Sequence, residues 1–290
     1  RLEASLEPEK GLVRSKIFIS VSRPMIHSAS NLKAAHDSFH PDEGTMDTVS
    51  TIGFDGSLNY TKTWVDYEYD EDGKLIKAEG KSSTWGVDIF GNSYLTTATD
   101  TFTTLAGQAK KIKSDMITQS ETLDGSMSTT TAVINYEWTD GSEDPISLSS
   151  EYLDDGGNVL IGLLKHADGS SITTGEDIYG ATYTTTTIDT YRIINGEAKI
   201  DYSTSTTESK DIYGGKVNSS SDVEYFYTDG SEGIEDLPDF YLSKDEEGNV
   251  VIDPKFLDGE GNVKIGLLKY AEGGGNSTGE DIFGGTYSTI

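Results

Sequence analysis

Apolar and polar residues alternate along several segments of this chain with a period of two. The clearest segment places Val65, Tyr67 and Tyr69 on one side of an extended strand and acidic residues on the other. Strict alternation is typical of a β-strand, because successive side chains of a strand point to opposite faces of the sheet. The pattern therefore predicts long strands. The same apolar side recurs as Ile134, Tyr136 and Trp138, and as Val223, Tyr225 and Tyr227.

Glycines divide these segments at regular intervals, and each is followed eleven residues later by an aromatic residue. The five pairs are Gly56 and Tyr67, Gly91 and Phe102, Gly125 and Tyr136, Gly180 and Tyr191, and Gly214 and Tyr225. A second glycine follows each aromatic residue, often in an Asp-Gly or Asn-Gly dipeptide that favours a hairpin turn. We interpret the five pairs as repeat anchors, and we expect their aromatic rings to stack in buried ladders across neighbouring strands.

Together these signals predict an all-β fold, a repetitive antiparallel β-meander of long strands arranged as a solenoid-like spiral or a sandwich. Residues 51–290 form tandem β-hairpin repeats of about 34 residues, grouped in units of 89 to 104. Residues 1–50 lack the pattern, and we predict an N-terminal capping segment or the end of a preceding module there. Within it we expect a strand at 16–21 and a short helix at 31–40, which would carry His36 and His40 on one face.

The charge of the chain restricts its partners. Its 290 residues include 50 acidic and 22 basic side chains, which gives a net charge of −28. Phosphate binding needs clustered Lys and Arg, so we expect no nucleic acid partner. An anionic membrane surface is disfavoured for the same reason. We also expect no membrane insertion, because no run of about 18 apolar residues occurs.

One hairpin resembles a known repeat. The segment Tyr67-Glu68-Tyr69-Asp70 followed by Gly73-Lys74-Leu75 resembles the YD repeat of the RHS family, with Lys74 standing where that repeat usually has Arg. Weaker echoes begin at Tyr152, Tyr241 and Phe256. Members of that family form long β-strand spirals in large secreted or surface-displayed proteins. The resemblance therefore implies an extracellular scaffold rather than a catalyst.

Acidic residues gather where this strand enters its turn, at Asp66, Glu68, Asp70 and Asp72. Calcium takes six to eight oxygen ligands, and alternate carboxylates on a strand together with a turn carbonyl could supply them. These four residues are therefore our candidate ligands for a structural calcium ion. The other interpretation is that acidic turn residues are solvated hairpin tips. We predict no other cofactor.

We predict no enzyme, with a polysaccharide-acting enzyme left open. Repeated strands with polar outer faces favour a structural role, because such units contact mainly their neighbours. The predicted function is a segment or subunit of an extracellular fibre, surface layer or adhesive stalk that self-associates into a polymer or array, outside the cell or at its surface. The alternative is a carbohydrate-binding module that stacks sugars on exposed aromatic rows such as Tyr69, Trp138 and Tyr227.

Overall fold

The computed structural model describes residues 29–39, 46–52, 57–245 and 247–289. Within these ranges lie one α-helix, α1 (Ala29–Asp37), and fourteen β-strands. The strands are β1 (Met46–Ile52), β2 (Leu58–Tyr69), β3 (Leu75–Val87), β4 (Ser93–Leu105), β5 (Gln108–Glu121), β6 (Met127–Trp138), β7 (Leu164–Glu176), β8 (Thr182–Ile194), β9 (Glu197–Lys210), β10 (Lys216–Tyr227), β11 (Leu242–Lys244), β12 (Val250–Ile252), β13 (Leu268–Glu280) and β14 (Thr286–Thr289). The expected strand at 16–21 lies outside the described residues.

Twelve of the described strands pair antiparallel in one sheet. They follow the order of the chain from β1 to β10, after which β13 and β14 complete the sheet, while β11 and β12 form a separate hairpin. The predicted all-β antiparallel meander of long strands is confirmed. The sequence left a spiral and a sandwich open as arrangements of the meander. The twelve paired strands instead lie side by side in a single open sheet.

The two faces of the sheet differ in exposure. In β7 every second residue from His166 to Glu176 is exposed, whereas the residues between them, such as Thr173, are buried or half-buried. We call the face that carries Thr173 the threonine face. The opposite face is the helix face, because α1 packs on it. Few side chains are fully buried in the described part of the chain, because no second layer covers the sheet.

A row of hydroxyl side chains crosses the threonine face. Strand pairing places one Thr or Ser in the same register position on each of β2 to β10, β13 and β14. The row consists of Thr61, Thr84, Thr96, Thr118, Thr130, Thr173, Thr185, Thr207, Ser219, Ser277 and Thr289. Its hydroxyls hydrogen-bond in pairs, as between Thr130 and Thr173 at 2.7 Å and between Thr185 and Thr207 at 2.8 Å. Cross-strand pairs of this kind contribute roughly 0.2–1 kcal/mol each.

Tyrosine rings cover glycines at three cross-strand positions on the same face. Tyr94 lies opposite Gly86, Tyr183 opposite Gly175, and Tyr287 opposite Gly279. A Cβ atom built on Gly175 would lie only 2.3 Å from the ring of Tyr183, so the ring occupies the space that the missing side chain leaves free. In an uncovered sheet, this contact shields backbone and apolar ring surface together.

The aromatic anchors are less buried than the sequence led us to expect. Tyr67 is 49% exposed, and Phe102, Tyr136, Tyr191 and Tyr225 are half-buried rather than part of a core. The physical reason is the single layer, since a ring on one face of the sheet has no second sheet to pack against. Burial is nevertheless sufficient to raise the pKa of Tyr191 to about 12, with the Asp189 carboxylate adding to the effect.

Each anchor also lies within two residues of a β-bulge. The register shifts between Thr101 and Phe102 and between Thr190 and Tyr191, and it shifts just beyond Tyr67, Tyr136 and Tyr225. Phe102 thereby leans over Gly80, where a Cβ would lie 3.1 Å from its ring, and Tyr191 leans over Gly169 in the same way. A bulge bends its strand and increases the local twist, which brings these rings over the neighbouring strand.

Two long connections, 139–163 and 228–267, interrupt the sequence of tight hairpins. Each begins with a buried threonine, Thr139 or Thr228, whose hydroxyl forms a hydrogen bond with the backbone at the far end of the connection. Thr139 accepts the backbone N–H of Leu163 at 3.0 Å, and Thr228 accepts that of Leu267 at 2.9 Å. The second connection contains the β11–β12 hairpin and a small cluster of apolar side chains. Its buried members are Leu237, Tyr241 and Val263.

The helix predicted at 31–40 is confirmed at Ala29–Asp37, where it packs on the helix face over β3 and β4. The helix residues Leu32 and His36 are buried against the sheet. His36 Nδ1 lies 3.0 Å from Ser83 Oγ. Burial, together with the nearby charge of Lys62, lowers the pKa of His36. Lys62 Nζ also donates to the His36 carbonyl at the end of the helix. His40 lies outside the described residues.

The glycine contacts can be tested by substitution. Gly175→Ala should destabilise the protein by about 1–3 kcal/mol, because the new methyl group must displace the ring of Tyr183. Urea denaturation measures the loss. The matched control is Gly274→Ala in β13, where a Cβ would meet nothing within 4 Å, and we expect a change within about 0.5 kcal/mol. Equal losses in the two variants would contradict the proposed role of the tyrosine ring.

Candidate interaction end of the sheet

Eight turns in the described part of the chain share the sequence Asp-x-x-Gly and one geometry. In each, the glycine N–H donates to the aspartate carbonyl at 2.9–3.3 Å. The aspartate Oδ1 accepts two further backbone N–H groups, two and four residues later, at 2.8–3.1 Å. The glycine adopts φ of 78–101°, which favours a residue without a Cβ. The turn therefore depends on only two side-chain identities, Asp and Gly.

Four of these turns carry an isoleucine and an aromatic residue between the aspartate and the glycine. They connect β3 to β4, β7 to β8, β9 to β10 and β13 to β14. Every second turn of a meander lies at the same end of the sheet, so all four share one end. The turn between β5 and β6 also lies there. Together they form what we call the apolar tip row: Ile89, Phe90, Leu123, Ile178, Tyr179, Ile212, Tyr213, Ile282 and Phe283.

The aromatic members of the apolar tip row are highly exposed. The exposed fractions are 71% for Phe90, 75% for Tyr179, 76% for Tyr213 and 89% for Phe283. Neighbouring tips are separated by two strands, which corresponds to roughly 10 Å at the usual strand spacing. The row thus presents one exposed ring at each of four tips, and Leu123 lies at the tip between β5 and β6.

The isoleucines of the row have a structural role that the rings lack. Ile178 Cγ2 lies 3.4 Å from the position of a Cβ on Gly125, in the preceding turn, and Ile212 Cγ2 lies 3.7 Å from that of Gly180. Ile178 and Ile212 therefore each pack against the turn before them, which leaves both about half exposed. These contacts link the three consecutive turns that carry Gly125, Gly180 and Gly214.

The four predicted calcium ligands occupy different kinds of position in the structure. Asp66 and Glu68 lie within β2, whereas Asp70 begins a turn and its Oδ1 accepts the N–H groups of Asp72 and Lys74 at 3.1 and 2.8 Å. Among the described residues, no three His, Asp or Glu side chains are placed to hold a metal ion. The geometry gives Asp70 a structural function in its turn, and the calcium ion stays a prediction from sequence.

The predicted glycine anchors lie in turns of the apolar tip row. Gly91, Gly125, Gly180 and Gly214 have φ of 87–101°. Gly56 lies outside the described residues.

The aromatic row proposed for sugar stacking is not uniformly open. Tyr69 is 54% exposed, but Trp138 and Tyr227 are partly covered. Trp138 Nε1 donates to the Lys111 carbonyl and the Tyr227 hydroxyl donates to the Ile200 carbonyl, each at 2.6 Å. These two rings therefore support the neighbouring strand instead of forming a free platform.

Sequence reasoning missed the exposed rings of the tips. The signal was present, because an aromatic residue follows Asp-Ile in four places. Its meaning depends on which end of the sheet each turn occupies, and that requires the topology.

Comparisons of the chain with protein-family models, with curated proteins and with solved structures found no match. No helix in the described part of the chain is long and apolar enough to cross a membrane.

The turn aspartates predict a pH dependence. Backbone N–H groups of Asn262 and Glu260 hold the pKa of Asp258 below its ordinary value of 3.8. A carboxyl group whose pKa is lowered by folding stabilises the protein above that ordinary value and loses the effect as pH falls through the folded pKa. We therefore expect constant stability near neutrality and a decrease below about pH 4. Urea midpoints measured across this range, with an NMR titration of the Asp258 carboxyl group, test it.

The control is Asp258→Asn, which keeps an oxygen acceptor at the turn but removes the titrating group. Its stability should respond less to acid than that of the unmodified protein. A titration midpoint for Asp258 at or above 3.8 would contradict the assignment of its hydrogen bonds.

Proposed function

We propose that this chain is a structural scaffold, a segment or subunit of an extracellular fibre, surface layer or adhesive stalk. The observation that carries the proposal is the hydroxyl row, which keeps one register across the strands from β2 to β14. Each strand is held mainly by its two neighbours, as in repeat proteins whose stability is a sum of nearest-neighbour terms. Such a sheet can be extended by further strands without enlarging a core.

The dimensions of the sheet suit this role. Twelve strands span roughly 53 Å at about 4.8 Å between neighbours, while the strands themselves are 12–14 residues long from β2 to β10. Both faces remain accessible to solvent over most of this width. A wide single layer provides a large surface and reach for few residues, which is what a spacer or layer subunit requires.

The charge of the chain supports an extracellular scaffold that associates in a controlled way. A net charge of −28 keeps the uncovered sheet soluble and makes copies repel one another at low ionic strength. Salt screens such repulsion over a Debye length of about 8 Å at physiological ionic strength. Self-association into a polymer or array should therefore be promoted by salt.

Sedimentation velocity and negative-stain imaging of the purified chain test the scaffold proposal. Between about 10 mM and 500 mM sodium chloride we expect association to increase, because the Debye length falls from about 30 Å to a few ångströms. Filaments or layers should appear in the images at high salt. A compact monomer at every protein and salt concentration would rule out the self-associating scaffold.

A further inference from the structure

The eight Asp-x-x-Gly turns provide a comparison within one chain. Four of them lie away from the apolar tip row and have polar or small residues two positions after the aspartate. These are Asp72, Gly156, Glu247 and Glu260. The hydrogen bonds are the same as in the turns that carry Phe90, Tyr179, Tyr213 and Phe283. The turn itself therefore does not require an aromatic ring, and the rings occur only at one end of the sheet.

We infer that the apolar tip row binds a basic, proline-rich segment of another protein in the polyproline II conformation. The inference goes beyond the scaffold proposal, since a scaffold needs no partner of this chemistry. The contact centres on Tyr179, Tyr213 and Phe283, which occupy three consecutive tips because β13 follows β10 in the sheet.

The spacing of the tips favours this conformation. Tips two strands apart are about 9.6 Å from each other. A polyproline II helix repeats every three residues, or about 9.3 Å, whereas an α-helix returns to the same face after seven residues, or about 10.5 Å. At usual strand spacings of about 4.7–4.9 Å, the interval between tips is nearer to the polyproline II repeat than to the helical one. Known proline-rich segments dock in grooves lined by aromatic side chains.

Charge complementarity makes the partner basic. Asp177, Asp211 and Asp281 stand at the base of the three tips, and Glu176 and Glu280 precede two of them. The carboxylates at the two outer tips would pair with Arg or Lys side chains of a polyproline II segment. The same charges repel an acidic ligand, including the tip row of a second copy of this chain. Lys210 and Lys216 flank the middle tip and outweigh the charge of Asp211, so the negative charge lies at the outer two tips.

The probe is a fluorescently labelled peptide of six Pro-Pro-Arg repeats, titrated with the full chain and followed by anisotropy. The test variant replaces Tyr179, Tyr213 and Phe283 with Ser, and we expect its Kd to rise about tenfold or more. The control variant replaces Ile146, Ile172 and Ile188 with Ser, because these residues are 93%, 52% and 56% exposed away from the row. Its affinity should stay within about twofold.

Salt distinguishes this binding from self-association. Peptide affinity should weaken as sodium chloride increases, since exposed ion pairs are screened, whereas association between copies should strengthen. Circular dichroism and urea midpoints check that both triple variants are folded. We expect them to be folded because the replaced side chains are exposed. Failure of one proposal therefore leaves the other intact.

Several results would overturn the inference. An absence of binding by the Pro-Pro-Arg peptide would do so, as would equal binding of a Pro-Pro-Glu peptide or an unchanged Kd for the test variant. Tighter binding of a basic heptad-repeat helix would reject the polyproline II conformation. Binding of soluble glucan oligosaccharides or zwitterionic vesicles through the same rings, without the peptide, would assign the row to a different class of partner.

Discussion

The register of cross-strand pairing is the constraint on which the rest of this structure depends. In a single layer, no core selects which face of a strand is covered, so the pairing itself must do so. A slip of one residue would move every side chain of a strand to the other face. In the observed register the Thr130–Thr173 and Thr185–Thr207 hydroxyls are hydrogen-bonded. The same register places the ring of Tyr183 over Gly175, and a slip of one or two residues would place the ring against a residue with a side chain.

The Asp-x-x-Gly turns determine where the paired strands end. It ends each strand at a defined residue by using one carboxylate oxygen for two backbone N–H groups, as Asp177 does for Tyr179 and Ala181. Turns at one end of the sheet are then aligned wherever the strands have similar lengths. The contact between neighbouring tips, as between Ile178 and the turn of Gly125, follows from pairing and turn geometry together.

The proposed scaffold and the proposed interaction of the apolar tip row are physically compatible. A sheet that grows by adding strands also adds tips at a constant spacing, so an extended partner would find matching contacts along its length. Under these two proposals the acidic charge has two consequences, because it would limit contact between copies and attract a basic partner. Both consequences weaken with salt, as like-charge repulsion and opposite-charge attraction are screened alike.

The sequence by itself determined the strands, the turns and the antiparallel meander. Period-two alternation around Tyr67 and turn chemistry such as that of Asp70 and Gly73 act over a few residues, so both can be recognised without the fold. The exposure of the aromatic residues was decided only by the tertiary structure. Tyr67 and Phe90 are both aromatic residues near turns, and neither local sequence shows that no second layer covers the sheet or which turns share an end. Likewise, an acidic cluster predicts a cation from composition, whereas the backbone geometry shows that Asp70 caps a turn. Burial and alignment are properties of neighbouring strands, and these neighbours are defined by the whole sheet.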